Sequence, residues 1–267
     1  AHERHAESRV TPMASKHCVF LHGAGETPGP DTTTFPGYWG SKINKKLNQC
    51  LSFTYIHKDT KNNEWDDTAL MQAYCDAATA FSSTKAAQNV IIFTHSMGNL
   101  IFSGALGKGL CSLGSTASWY SVSGPMLGSK TCDVIQSLCD DTHPSEALKT
   151  IMSFLSYCDG SKPNEAYLSM KTRYAHGFGI ARTGFANVDG VMCGDSVTGL
   201  SSFMSLGLAA IAAITKFGEP NDGMVSLQSC AYGAGSGYSR TYTSRYYTGA
   251  LNHGDTTGTN GDGWYGE

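Results

Sequence analysis

The segment Thr94-His95-Ser96-Met97-Gly98 sets a serine between an apolar run, Asn89-Val-Ile-Ile-Phe-Thr94, and a helix-like continuation, Asn99-Leu-Ile-Phe102. A serine hydroxyl serves as a nucleophile when a sharp strand-to-helix turn exposes it and a neighbouring base takes its proton. Such a turn is tight, so the residues two before and two after the serine need to be small. Gly98 meets that demand, whereas Thr94 is larger than the glycine usual at its place. A lone S-x-G is a weak signal, and its bland reading is a structural turn serine. A buried strand, T-H-S-M-G and a helix in succession is much stronger.

Acyl transfer from such a serine passes through an oxyanion, which needs hydrogen-bond donors already in place. His22-Gly23-Ala24-Gly25 follows the short apolar run Cys18-Val-Phe-Leu21 and can supply one. The N–H groups of Ala24 and Met97 are the expected donors. His22, Gly23, Gly25 and His95 flank them and are expected to border the substrate, with His22 more structural than catalytic. Such a serine needs a general base and an orienting carboxylate, which follow it along the chain when it stands on a strand-to-helix turn of this type. His143, His176 and His253 follow Ser96, and His253 alone comes after a strand-like segment near the C-terminus. Asp222, in the turn Pro220-Asn-Asp-Gly-Met-Val225, is the expected acid; Asp189, Asp195 and Asp159 compete with it.

The elements that must hold these groups alternate. Strand-like runs stand at 18–21, 51–56, 89–94 and 119–122, and helical patterns at 38–47, 67–82 and 99–106. Leu70, Ala73, Tyr74 and Ala77 share one helical face, with Asp66 or Asp67 as the cap. This alternation predicts a mainly parallel sheet with helices on both faces. Two more strands are expected near 188–193 and 245–251. The stretch 126–185 is read as a mostly helical insertion, residues 1–16 as a loose arm, and 17–267 as one domain. Phe154, Tyr157 and Phe203 are candidates for an acyl pocket, though core packing is the commoner role for such residues.

A net charge of −3 with 15% charged residues leaves no basic surface for nucleic acid. The apolar stretch Leu200 to Ile214 is too short to span a membrane. None of the nine cysteines forms a C-x-x-C pair, which removes zinc-ribbon and thioredoxin-type chemistry. Two readings remain: buried thiols in a reduced compartment, or a secreted chain with up to four disulfides and one cysteine left over. A start at Ala1 fits a removed signal peptide and fits other trimming equally. Secretion is the expectation carried forward. Cys132 and Cys139, one helical span apart, are candidates for a local pair.

Taken together, Leu21-His-Gly-Ala-Gly25, Thr94-His-Ser-Met-Gly98, Asn221-Asp-Gly-Met-Val225 and Asn252-His-Gly-Asp255 resemble the lipase and carboxylesterase branch of the α/β-hydrolases. The resemblance runs over about residues 17–255 and is tight in these four motifs. It implies the α/β-hydrolase fold, an acyl-enzyme on Ser96, no organic cofactor, and a lid over an apolar acyl pocket. The oxyanion strand comes so early that the branch's first two strands are absent, leaving a sheet of about six. The branch often ties its acid and histidine loops with calcium. Asp255 matches one ligand position and Asp195 is out of register for the other, so a metal-free site is expected. A disulfide from Cys193 to Cys230 beside the acid is likewise implied by the resemblance. The expected function is hydrolysis of hydrophobic carboxylic esters by a monomer that contacts a lipid surface. Thioesterase, amidase, polyester hydrolase or acyltransferase chemistry on the same triad, and a non-catalytic binding protein on this fold, are the alternatives.

Overall fold

The computed structural model describes residues 15–140, 146–235 and 237–261. The expected N-terminal arm, apart from its last two residues, and His143 lie outside them. Six strands form one sheet: β1 (Lys16–Leu21), β2 (Cys50–Tyr55), β3 (Val90–His95), β4 (Ser118–Val122), β5 (Gly190–Gly194) and β6 (Tyr246–Gly249). Their order is β2-β1-β3-β4-β5-β6, and every adjacent pair is parallel. The expected sheet of about six strands is therefore present.

Both faces of the central strands are covered, which is why β1 and β3 read as nearly continuous apolar runs. Val19, Leu21 and Ile92 point into the larger core with the helices α2 and α3 described next. Cys18, Phe20 and Ile91 point the other way, into a smaller core with Trp39 and Tyr55. Among the described residues, the single-turn helix α1 (Ile43–Lys46) packs on that second side through Ile43. The helix expected over 38–47 is shortened because Gly40 takes φ +76°, a left-handed conformation that interrupts a right-handed helix. A Cβ at Gly40 would come within 2.5 Å of Thr259 Cα, so the close approach of the 258–259 turn accompanies that conformation.

On the larger-core side, α2 (Thr68–Thr79) begins at Asp67, whose carboxylate accepts the Leu70 N–H at 2.7 Å. The helix α3 (Met97–Gly107) packs on α2. The stretch 126–185 is mostly helical and includes α4 (Glu146–Phe154) and α5 (Gly179–Phe185). Helix α5 lies on α3 so closely that a Cβ at Gly184 or Gly107 would run into the other helix's backbone. Helix α4 packs against α6 (Ser205–Thr215).

Four disulfides close the chain: Cys18–Cys50, Cys75–Cys111, Cys139–Cys158 and Cys193–Cys230. The Cys193–Cys230 pair is the one the resemblance implied. The local Cys132–Cys139 pair is not formed. Those residues lie in two separate short helices, Lys130–Asp133 and Ile135–Cys139, and Cys139 meets the hairpin residue Cys158 instead. Cys132 is the leftover thiol, buried, with its pKa pushed up to about 12 mainly by that burial. Among the described residues no helix is long and apolar enough to cross a membrane.

Candidate active site

The strand order changes direction at β1, which has β2 on one side and β3 on the other. In open parallel sheets a crevice forms at such a switch, outside the carboxyl ends of the strands. The turn 22–25 leaves β1 there, and Ser96 leaves β3 there. Ser96 has φ +52° and ψ −128°, a strained conformation for a non-glycine residue that turns its side chain out of the strand. Its N–H is held by the Val122 carbonyl at 3.0 Å. Gly98 has no room for a side chain, because a Cβ would collide with the His22 and Leu21 carbonyl oxygens.

Thr94, oversized for its place by sequence, is used rather than tolerated. Its hydroxyl accepts the Trp119 indole N–H at 2.8 Å and donates to Asn99 Oδ1. Asn99 Nδ2 then donates to the Ser96 carbonyl at 3.0 Å and the Val122 carbonyl at 2.9 Å. A buried chain of hydrogen bonds from Trp119 through Thr94 and Asn99 thus clamps the turn. Thr94→Val keeps the shape and strands the Trp119 and Asn99 partners. Leaving buried groups unpaired costs about 1–3 kcal/mol, so we expect a lower midpoint in urea unfolding; an unchanged midpoint would show that the clamp contributes nothing.

Among the turn residues, Gly23 N–H donates to the Tyr38 hydroxyl at 2.7 Å and Gly25 N–H to the Thr60 carbonyl at 3.0 Å. The Ala24 N–H between them has no acceptor among the described residues. Met97 opens α3, where N–H groups lack intrahelical partners. Helix α3 sets its positive end beside Ser96, the residue before it.

His253 and Asp222 meet in a buried pair. His253 Nδ1 lies 2.8 Å from Asp222 Oδ2, and the His253 N–H donates to the Asp222 carbonyl at 2.8 Å. The other carboxylate oxygen, Asp222 Oδ1, accepts the N–H groups of Met224 (3.0 Å) and Val225 (2.7 Å). Ser96 and His253 line one cleft, but the Ser96 hydroxyl makes no hydrogen bond to His253 or to any other described residue. Hydrogen bonds of this kind are often long in unliganded sites and tighten around substrate.

The competing acids are occupied elsewhere. Asp189 accepts the Trp119 N–H at 2.8 Å, Asp195 pairs with Arg240 at 2.6 Å, and Asp159 sits in the exposed 158–163 hairpin. His176 is in a 3₁₀ turn, Thr172–Phe178, and bonds the Arg173 carbonyl.

The Asp255 carboxylate accepts N–H groups from Leu200 (2.8 Å), Asn252 (3.2 Å) and the Asn260 side chain (2.7 Å). A cation bound there would have to displace these donors, and Asp195 is held by Arg240. These hydrogen bonds tie the histidine loop to Leu200 and Asn260. Among the described residues no three His, Cys, Asp or Glu side chains are grouped to hold a metal.

The cleft is small, about 50 Å³, with Ala24, Tyr38, His95, Phe154, Leu155, Met204 and Met224 in its walls beside the pair. Of the four residues expected at the substrate, His95 lines it. His22, Gly23 and Gly25 stand behind it: a Cβ at Gly23 would come within 2.6 Å of Ser96 Cβ, and one at Gly25 would meet the Leu155 carbonyl at 2.5 Å. Phe154 lines the cleft while half exposed, Phe203 is exposed at its flank, and Tyr157 is core.

His22 is fully buried. Its Nε2 accepts the Lys58 N–H at 3.0 Å and its Nδ1–H donates to the Gly23 carbonyl at 2.9 Å, which fixes a neutral ring. Burial is the main cause that lowers its pKa to about 4. An unfolded histidine titrates near 6.5, so between there and pH 4 the unfolded chain binds a proton that the native state refuses. The stability from His22 is complete above pH 6.5 and is lost as pH falls towards 4. That loss amounts to about 3 kcal/mol, and buried His95, also lowered mainly by burial, acts in the same direction. Urea titrations at pH 7.5, 5.5 and 4.5 should show falling stability, with a shallower decline in His22→Gln; flat stability would contradict this.

No family model matches the chain, and no curated protein matches it by sequence. Solved structures do. The mature lipase BlEst2 of Bacillus licheniformis aligns over 92% of this chain and 88% of its own, with a TM-score of 0.58 at 15% identity. The metagenomic carboxyl esterase MGS0156 aligns over 90% and 65%, with a TM-score of 0.51 at 15% identity. Phospholipase PlaB of Legionella pneumophila aligns over 80% and 45%, with a TM-score of 0.51 at 17% identity. Six parallel strands, helices on both faces and this likeness to lipase structures together give the chain the α/β-hydrolase fold.

Proposed function

We propose that this protein is a serine hydrolase that cleaves hydrophobic carboxylic esters. The observation that carries the reading is the buried Asp222–His253 pair in the same cleft as a strained Ser96 with an unbonded hydroxyl. In this reading Ser96 Oγ attacks the ester carbonyl carbon while His253 Nε2 takes its proton. Ala24 and Met97 N–H groups hold the oxyanion. His253 returns the proton to the leaving alcohol, and the resulting acyl-enzyme on Ser96 is hydrolysed by a water that His253 activates in turn. The pattern needs no metal or organic cofactor.

The walls of the cleft are apolar, and Phe154, Phe203 and Leu206 expose apolar surface around α4 and the start of α6. These features favour a lipid-like ester and contact with a lipid surface. The disulfides favour an extracellular site of action, since such bonds persist in oxidising surroundings. We read the active form as a monomer, because all the proposed catalytic groups come from one chain.

A panel of nitrophenyl esters from acetate to laurate, with a thioester and an anilide beside them, tests this. A cleft of about 50 Å³ has room for only a few waters. The expected result is ester cleavage, fastest for short acyl chains in detergent-free solution, with the anilide slowest. Turnover of the thioester alone would favour the thioesterase alternative. Folded protein that turns over none of them would contradict the proposal.

A further inference from the structure

We propose that Tyr38 is a positioning residue that locks the oxyanion turn to the histidine loop through a one-directional hydrogen-bond relay with His95. This rests on the reading of Ser96, Asp222 and His253 as a hydrolytic triad.

The Tyr38 hydroxyl lies 2.6 Å from His95 Nδ1 and accepts the Gly23 N–H at 2.7 Å. On the far side of the ring, His95 Nε2 lies 3.1 Å from the His253 carbonyl and 3.3 Å from Thr256 Oγ1. The proton positions follow from what each partner can do. A carbonyl oxygen only accepts, so Nε2 must carry a hydrogen. His95 is buried, and burial disfavours its charged form. The ring is therefore neutral and Nδ1 has a lone pair. That lone pair accepts the Tyr38 O–H, whose oxygen is left free to take the Gly23 N–H. Each donor along the line thus meets an acceptor, and reversing the His95 tautomer would set two lone pairs face to face at His253.

The line joins the two loops that carry the proposed chemistry. At one end, Gly23 precedes the oxyanion donor Ala24 and rests on Ser96. At the other end is the main chain of His253, whose ring faces the His95 ring with centroids 4.7 Å apart. Thr256 also donates to the His253 carbonyl, at 2.8 Å, and is itself reached by Ser123 Oγ at 3.0 Å. Tyr38 lies on the irregular stretch after β1, and no strand or helix of the sheet fixes it. Its role is to convert two loops into one rigid unit with the Ala24 N–H and His253 at a set separation. Misplacement by about 1 Å costs on the order of 100-fold in rate.

Tyr38→Phe removes the relay and keeps the ring. The expected result is a fall in kcat of about 10–100-fold with KM changed less than about two-fold, since the lost interaction matters in the transition state. Affinity for a trifluoromethyl ketone, which forms the tetrahedral adduct, should fall in proportion to kcat. His95→Leu should show the same pattern, and Tyr38→Phe should cost almost nothing further in that background. His95→Gln, which keeps one donor and one acceptor, should recover part of the rate. Tyr38→Phe with wild-type kcat, or with raised KM at wild-type kcat, overturns the proposal. If Tyr38→Phe does not fold, the contrast between His95→Leu and His95→Gln decides, and equal loss in both overturns it. Wild-type protein that is not labelled by a fluorophosphonate sinks the hydrolase reading instead, and so is a distinguishable failure.

Discussion

Ser96→Ala is expected to lower kcat by about 10⁵–10⁶-fold while leaving the melting temperature within a few degrees of wild type. Removing the triad nucleophile from a serine hydrolase costs about that much. The fold gives two reasons why the loss here should be chemical and not structural. The Ser96 hydroxyl makes no hydrogen bond to any described residue, so no buried partner is orphaned when it goes. The turn is held by groups that alanine keeps: the Ser96 N–H on Val122 and the Ser96 carbonyl on Asn99. Residual activity above the uncatalysed rate would then come from Ala24, Met97 and substrate binding. Ester hydrolysis kinetics, with calorimetry on the same samples, check both halves.

Asp222→Asn should be nearly as damaging, with kcat lowered by about 10⁴-fold, and the geometry says why. Asp222 Oδ1 accepts two backbone N–H groups, from Met224 and Val225, and Oδ2 accepts His253 Nδ1–H. An asparagine has one oxygen and one NH₂ to fill these positions. The oxygen must take the Oδ1 position, because an NH₂ there would face two donors. The NH₂ then points at His253 Nδ1 and obliges that nitrogen to accept. The ring's proton moves to Nε2, the atom that should take the Ser96 proton, and the base is lost. Ring-nitrogen chemical shifts should report the reversed tautomer, and kinetics the loss of rate. An Asp222→Asn protein with wild-type kcat would remove Asp222 from the triad.

How much of this was legible in the sequence depends on how local each signal is. Strands β1 and β3 read clearly because both their faces are buried and the apolar run is unbroken. The Ser96 turn read clearly because its strand, small residue and helix are contiguous. Asp222 and His253 were legible through motif and chain order, although their contact spans 31 residues. What failed to show was set by tertiary contact. The helix over 38–47 has a sound apolar spacing, yet Gly40 breaks it where the 258–259 turn approaches. Thr94 looked like a defect because its partners, Trp119 and Asn99, come from β4 and α3. By spacing Tyr38 belongs to the start of that helix; its partner His95 is 57 positions away, and only Tyr38's place against the oxyanion turn gives the hydroxyl a meaning. His22, Gly23 and Gly25 flank Ala24 in the chain, but the turn exposes one N–H and uses its neighbours to hold itself.

The cysteines divide in the same manner. Cys193 and Cys230 were tied by resemblance to the acid loop, and they are joined. The Cys132–Cys139 pair fails on distance: seven residues of helix rise about 10 Å, beyond the reach of a disulfide, and the break between the two short helices does not close that gap.

Covalent labelling decides whether Ser96 is the nucleophile. Folded protein is treated with a fluorophosphonate, digested and mapped by mass spectrometry. One adduct is expected, on the peptide bearing Ser96, with none in Ser96→Ala and much slower labelling in Asp222→Asn. A folded wild-type protein that takes up no label, or label that persists in Ser96→Ala, would contradict it.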